Sequence, residues 1–473
     1  KKYEKKQKND MKHIHFIGIC GVAMSALALA FHKKGYTVTG SDKGFYPPVS
    51  TYLKDAGVAY YPGWHPERMT KDGNPDLVVV GNVASSTNPE WQYVQKHNIP
   101  YKSYPEVLAE FFIKDTSIVC AGTYGKTTSS SLLTWIFTEA RLSPSYMFGG
   151  ISQNDIPAAA LTDGAYSIME GDEYKTARWD EKAKFFHYAP THLLLTAVVW
   201  DHADVYPTEQ LYDDAFQSLV SLVPKDGQLI VSAKVVHEKP DVLAHALAPV
   251  ITYGKKEDND YQYTDVDMSK RGIRFSILHD GKTFDIQSQE LGDYMADNMT
   301  GCFAVAHQLG IPPKKIIASI ESFKSIKRRL EKRLEGDIYI FDDIAHSPKK
   351  AEAVLRSLKK TFPGNVIAIF EPNSGNRFEE SLPGYDDKFL HADTVIIPRL
   401  SKLKQDPNTP APLDGQQLAD YIGKTHTNVL YIPEDEALVE AVAAMAHTDD
   451  AIAFLGSHGF RGMIETLVKK LSK

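Results

Sequence analysis

Short apolar runs alternate with helical patterns along most of the chain, and the runs end at glycine or acidic residues. The run "HIHFI" (13–17) reads as a strand, "GICG" (18–21) as a tight loop and 22–34 as a helix that Gly35 can cap. "YTVTG" (36–40) and "PDLVVVG" (75–81) read as the next strands, and 101–107 as a boundary. A second block opens on the strand "TSIVCA" (116–121), a glycine loop and a helix over 126–140. It continues through the strands "AYSIME" (165–170), "THLLLTAVV" (191–199) and "GQLIVSA" (227–233). Residues 261–288 alternate like antiparallel strands, with Asp280-Gly281 as a hairpin turn, and a helix through 295–310 closes the block. A third block from about Arg328 carries the strands "DIYIF" (337–341), "NVIAIF" (365–370), "DTVIIP" (393–398), "NVLYI" (428–432) and "AIAFLG" (451–456) between helical patterns, as in a mainly parallel sheet.

The pattern therefore predicts an α/β protein of three domains, over 11–106, 107–325 and 326–473, and 473 residues suffice for three cores. Fifty-three Lys and Arg against 60 Asp and Glu give a net charge of −7, which argues against a nucleic-acid partner. Three cysteines, Cys20, Cys120 and Cys302, form no C-x-x-C pair and suit a reducing compartment. The most membrane-like run, 16–31, is broken by Gly18 and Gly21 and falls short of the roughly 20 apolar residues a spanning helix needs. The charged opening segment "KKYEKKQKND" lacks the apolar core of a secretion signal. A cytoplasmic protein without a membrane partner is expected.

Candidate chemistry gathers where strands end. "CAGTYGKTTSS" (120–130) places a Gly-Lys-Thr between a strand and a helix. There backbone N–H groups and the positive helix end can hold phosphates, Lys126 can reach them and Thr127 can ligate Mg²⁺. "SIMEGDEY" ends another strand with Glu170, Asp172 and Glu173, and "VVWDHADVY" ends a third with Asp201, His202 and Asp204. A Gly-Lys-Thr alone is often an ordinary strand-to-helix turn, and a lone acidic run is usually solvated. Their coincidence at the carboxyl ends of strands in one block favours a nucleotide and metal site. In the first block "FIGICGVAMS" with Asp42 departs from the dinucleotide fingerprint at Cys20 and Ala23. That leaves a UDP-type diphosphate at least as apt as NAD. "FDDIAHSP" and "EPNSGNR" bring further polar groups to strand ends in the third block.

In order, "GICGVAMSALA", "GTYGKTT", "EGDEY", "DHAD", Asp297-Asn298, "KRR" and "DDIAHSP" resemble the Mur ligase family, the ATP-dependent amide-forming enzymes of peptidoglycan assembly. The resemblance implies a Rossmann-like UDP-binding domain, a central P-loop ATPase-type domain and a Rossmann-like C-terminal domain that binds the amino substrate. It implies that Gly18, Cys20 and Gly21 cradle the UDP diphosphate, with Asp42 near the nucleoside. ATP would lie on Gly122, Thr123, Gly125, Lys126, Thr127 and Thr128, with Asn298 and Arg329 at its base or ribose. Mg²⁺ would be held by Thr127, Glu173 and His202, and Asp343 and His346 would complete the catalytic set with Lys126, Glu173 and His202.

Several stretches, "GSDKGFYPPVST" and "GDEYKTARWDEKAKFFHY" among them, are similar to the branch that joins UDP-N-acetylmuramate to the tripeptide L-Ala-γ-D-Glu-diaminopimelate through an acyl phosphate in cell-wall recycling. The branch that adds L-alanine is the alternative. From other classes, an NAD-dependent dehydrogenase and an ATP-binding regulatory relative also remain. The expected assembly is a monomer or weak homodimer. Tyr124 stands where the family's loop commonly has His, and Ala197, Val199 and Asn373 depart from its usual pattern.

Overall fold

A computed structural model describes residues 12–201, 205–402 and 411–472. The chain forms two compact units, one of residues 1–265, 275–286 and 296–323, the other of 266–274, 287–295 and 324–473.

The first unit opens with β1 (His13–Ile17), β2 (Thr37–Asp42), β3 (Ala59–Pro62), β4 (Leu77–Val80) and β5 (Tyr101–Lys102). These form a parallel sheet in the order β3-β2-β1-β4-β5, the arrangement of a Rossmann-like half. From Ile14 to Ile17, β1 is buried on both faces, which accounts for its nearly unbroken apolar sequence. The helix Val22–Lys33 follows β1 and ends as expected, with Gly35 at φ +98°.

The second sheet contains β6 (Thr116–Ala121), β7 (Ser145–Met147), β8 (Ala159–Ala160), β9 (Tyr166–Gly171), β12 (His192–Leu195), β13 (Gln228–Ser232), β14 (Val250–Gly254), β15 (Tyr261–Ser269), β16 (Gly272–His279) and β17 (Lys282–Ser288). The spatial order is β17-β16-β15-β14-β13-β12-β6-β9-β7-β8, with β6 between β12 and β9. A separate two-stranded ribbon, β10 (Lys175–Ala177) and β11 (Asp180–Ala183), interrupts the chain between β9 and β12. Asp280 and Gly281 have φ +49° and +71°, the paired positive values of a tight hairpin turn. The strand predicted over 191–199 stops at Leu195, because residues 196–199 turn away to bind the glycine loop. One apolar core joins both sheets. In it the Phe31 ring meets Phe111 and Phe112 edge-on, at centroid separations of 5.2 and 5.9 Å.

The second unit is built on β18 (Glu331–Leu334), β19 (Tyr339–Asp343), β20 (Val366–Glu371), β21 (Thr394–Pro398), β22 (Val429–Ile432) and β23 (Ala451–Gly456). Their order is β18-β19-β23-β20-β21-β22, parallel except for β18. β23 inserts between β19 and β20, so the ends of "FDD", "FEP" and "FLGS" lie side by side. Among the described residues no helix is long and apolar enough to cross a membrane.

Candidate active site

β6 delivers the chain to Gly122, where φ is +139° and a Cβ would lie 2.3 Å from Thr196 Oγ1. Only glycine fits that turn without displacing its neighbours. The loop is fixed from the side by the segment after β12. Thr123 N–H donates to Ala197 O at 2.9 Å, Val199 N–H donates to Thr123 Oγ1 at 2.9 Å, and Thr196 Oγ1 donates to Tyr124 O at 2.5 Å. Thr123 Oγ1 also meets Tyr212 Oη at 2.9 Å. Gly125, left-handed at φ +82°, is the N-cap of the helix Lys126–Glu139, whose first turn holds no acidic residue and has no side-chain cap. The helix start is therefore left open to an anion. Asn298 packs against this turn, so closely that a Cβ on Gly125 would come within 2.5 Å of its Oδ1. The structure thus places Gly122, Thr123 and Gly125 in one loop, Lys126, Thr127 and Thr128 in the helix turn that follows it, and Asn298, from the helix Tyr294–Gln308, against Gly125. Tyr124 stays 42% exposed, and burial together with Asp201 raises its phenol pKa.

The three carboxylates at the end of β9 each have a different partner. Glu170, not Glu173, meets Thr127: Thr127 Oγ1 donates to Glu170 Oε1 at 2.6 Å, and Gly149 N–H donates to its Oε2 at 2.6 Å. Glu173, fully buried, pairs instead with Lys126 at 3.1 Å. Asp172 pairs with Lys184 at 2.6 Å. Burial works to raise the Asp172 pKa, but the Lys184 ammonium outweighs it and holds the carboxyl below its usual value. Tyr206 Oη donates to Glu173 O at 2.6 Å and fixes the backbone of the acidic run. His202 lies outside the described residues. Glu170 stands outside the residues assigned from the sequence; it is one of three neighbouring carboxylates, and their spacing does not say which one turns to Thr127.

In the first sheet Gly18 adopts φ +87° and Gly21 caps the helix Val22–Lys33 without a side-chain hydrogen bond or an acid in the first turn. Cys20 N–H donates to Asp42 Oδ2 at 2.8 Å and Lys43 N–H to Asp42 Oδ1 at 2.7 Å, so Asp42 braces the loop. Burial, followed by the Asp42 charge, pushes the Cys20 thiol up to about 11.

The second unit holds the remaining candidates. Asp343 accepts from Leu330 N–H at 2.6 Å and Ala345 N–H at 2.8 Å, and its pKa is raised by burial against those donors and the nearby Arg329. His346 Nδ1 bonds Ile344 O at 2.8 Å, and burial, then the Lys350 charge, lowers its pKa, so it is neutral near pH 7. Arg329 is exposed beside them. Its neighbour Arg328 ties β19 to the loop after β23, meeting Asp342 at 3.1 Å and the carbonyls of Gly456, Ser457 and His458 at 2.5, 3.0 and 3.0 Å.

Comparison with known proteins agrees with this layout. The family described as "Mur ligase family, catalytic domain" matches residues 13–115, "Mur ligase middle domain" matches 120–306, and "Mur ligase, glutamate ligase domain" matches 328–458. The chain is 30% identical to the UDP-N-acetylmuramate–L-alanyl-γ-D-glutamyl-meso-2,6-diaminoheptandioate ligase of Haemophilus influenzae, covering 98% of this chain and 99% of the relative. It is 29% identical to the UDP-N-acetylmuramate–L-alanine ligase of Vesicomyosocius okutanii, over 98% of this chain and 97% of that one. The crystal structure of a murein peptide ligase from Psychrobacter arcticus superposes with a TM-score of 0.68 at 26% identity, over 98% of this chain and 99% of the other. Matched end to end and in domain order, the chain belongs to the Mur ligase family of ATP-dependent ligases.

Proposed function

We propose that this ligase joins the carboxylate of UDP-N-acetylmuramate to the amine of the preformed peptide L-Ala-γ-D-Glu-meso-diaminopimelate, consuming ATP with Mg²⁺, as a cytoplasmic step of cell-wall recycling. The glycine loop at the end of β6, with Lys126 and the Thr127–Glu170 pair, carries the nucleotide half of the reading. The near full-length likeness to the Haemophilus ligase supports the peptide half.

The residues present fit both ATP and a divalent ion. Gly122 and Gly125 let the loop turn tightly against Thr196 and Asn298, where any side chain would clash, and the helix start that follows has no side-chain cap. Thr127 with Glu170 supplies a hydroxyl and a carboxylate, the hard oxygen donors Mg²⁺ takes. When bound, Mg²⁺ would neutralise charge on the transferring phosphoryl group. Lys126 would leave Glu173 for the phosphates, while Asp172, held ionised by Lys184, keeps the acidic run in place. A carboxylate does not condense with an amine unaided because oxide is a poor leaving group; phosphorylation to an acyl phosphate supplies a good one. Gly18, Cys20, Gly21 and Asp42 are assigned to the UDP moiety, Asn298 and Arg329 to the nucleoside of ATP, and Asp343 with His346 to the amino substrate's side.

The test supplies UDP-N-acetylmuramate, ATP and Mg²⁺ with the tripeptide or with L-alanine, and follows phosphate release and product mass. Tripeptide-dependent phosphate with the matching product is expected. Turnover with L-alanine alone would move the chain to the second branch, which relatives of 29% identity represent. Acceptor-independent or absent phosphate release would remove the ligase reading.

A further inference from the structure

The ribbon of β10 and β11 leaves the acidic run immediately after Tyr174 and returns at Lys184. Its two ends are tied there: Lys184 N–H donates to Tyr174 O at 3.0 Å, Phe185 N–H to Asp172 O at 3.2 Å, and Lys184 Nζ to Asp172 Oδ2 at 2.6 Å. Two strands alone are marginally stable, and this pair joins neither large sheet. Apart from the buried Ala177 and Ala183, the latter packed in the core, the ribbon's side-chain contacts are polar and local, as in Lys175–Glu181 at 2.9 Å and His187–Asp180 at 3.0 Å. The tip is different. Trp179 stacks on Trp91 with ring centroids 5.1 Å apart and planes 20° apart, and meets Tyr101 edge-on at 5.3 Å. Trp91 itself meets Tyr101 at 4.6 Å. Trp91 lies in the first turn of the helix Pro89–Lys96 after β4, and Tyr101 opens β5, so both rings belong to the first sheet's domain.

We propose that Trp179 is a positioning residue: by docking on Trp91 and Tyr101 it holds the ribbon rigid, and the ribbon's roots hold Asp172 and Glu173 at the Lys126 loop. The domain assigned to the UDP sugar is thereby coupled to the phosphate-transfer residues through three aromatic rings. The inference rests on the ligase reading for its effect on turnover, but not for its effect on the ribbon. Aromatic stacking suits this task because a large area is fixed with only two side-chain torsions. Trp179 remains 38% exposed, so removing it opens no large internal cavity.

The experiment compares Trp179→Ala and Trp179→Phe with the unaltered full chain by hydrogen exchange of amides 172–184, melting temperature and steady-state kinetics. Trp179→Ala is expected to speed exchange across 172–184 and to lower kcat about 10-fold to 100-fold, the usual cost of loosening groups that orient a reacting centre. The melting temperature should stay nearly unchanged, and Trp179→Phe should restore both slow exchange and turnover. Unaltered exchange in Trp179→Ala, loss of kcat without faster exchange, or a Phe variant as impaired as Ala would each overturn the proposal. Exchange decides whether Trp179 anchors the ribbon even if the unaltered chain ligates neither acceptor, so the two readings fail separately.

Discussion

Replacing Glu170 by Gln keeps the side chain's shape and removes its charge, which makes it the sharpest probe of the metal assignment. In the structure its two oxygens accept from Thr127 Oγ1 and Gly149 N–H, both at 2.6 Å. Each hydrogen bond to an ionised acceptor contributes about 1.5–3 kcal/mol, and the amide can keep only one of the two as an acceptor. If Glu170 holds Mg²⁺ with Thr127, the lost charge should weaken metal binding by about 10-fold to 100-fold, or about 1.4–2.7 kcal/mol. The assay is tripeptide-dependent phosphate release titrated with Mg²⁺ at saturating ATP. Glu170→Gln should raise the half-saturating Mg²⁺ concentration by that factor. Glu173→Gln, whose charge faces Lys126, should alter ATP dependence more than Mg²⁺ dependence. The reverse pattern, with Glu173→Gln alone shifting the Mg²⁺ curve, would refute the division of roles read from these distances.

Other consequences are equally measurable. Lys126→Ala should lower phosphate release by at least about 100-fold, as expected for losing a donor to developing charge, while UDP-sugar binding measured by calorimetry persists. Gly122→Ala forces a side chain into φ +139° and against Thr196 Oγ1. The backbone strain alone costs about 1–3 kcal/mol, so ATP binding and thermal stability should both fall. Glu290 is partly exposed, yet burial raises its pKa to about 7, against the donated N–H of Ser325. The folded state then holds more protons than the unfolded state between about pH 4.5 and 7, so stability falls as pH rises through that window and levels off above it. Glu290→Gln should flatten that slope in urea unfolding at pH 5 and pH 8; the difference is at most about 3.4 kcal/mol, from 2.5 pH units at 1.36 kcal/mol each.

What could be read from the sequence follows from how each feature is encoded. The strands at 13–17, 116–121 and 451–456 match the structure because continuous apolar runs between glycines have few other folds. The glycine loop after β6 is legible because its geometry demands glycine, at Gly122 and Gly125, and glycine is visible in a sequence. The partner of Thr127 is not, because Glu170, Asp172 and Glu173 lie within four residues and their directions depend on where β9 ends. The Trp179 contact was equally hidden, since it spans 88 positions to Trp91 with no local signal.

The departures at Tyr124, Ala197 and Val199 have a related explanation. The structure uses those positions through their backbones: Ala197 O takes the Thr123 N–H, Val199 N–H reaches Thr123 Oγ1, and Tyr124 O takes the Thr196 hydroxyl. A backbone contact persists under any side chain that keeps the local conformation, so substitution there leaves the shape of the loop intact. Cys20 follows the same logic, because its contact with Asp42 is made by the backbone N–H, which glycine would supply equally. The loop's integrity therefore hangs on the residues whose side chains or φ angles are used, namely Gly122, Thr123, Gly125 and Thr196. Substitutions at 124 and 197 can instead retune what the loop presents to its ligand. On this argument Tyr124→His should leave stability unchanged, and any effect should fall on the kinetics with ATP.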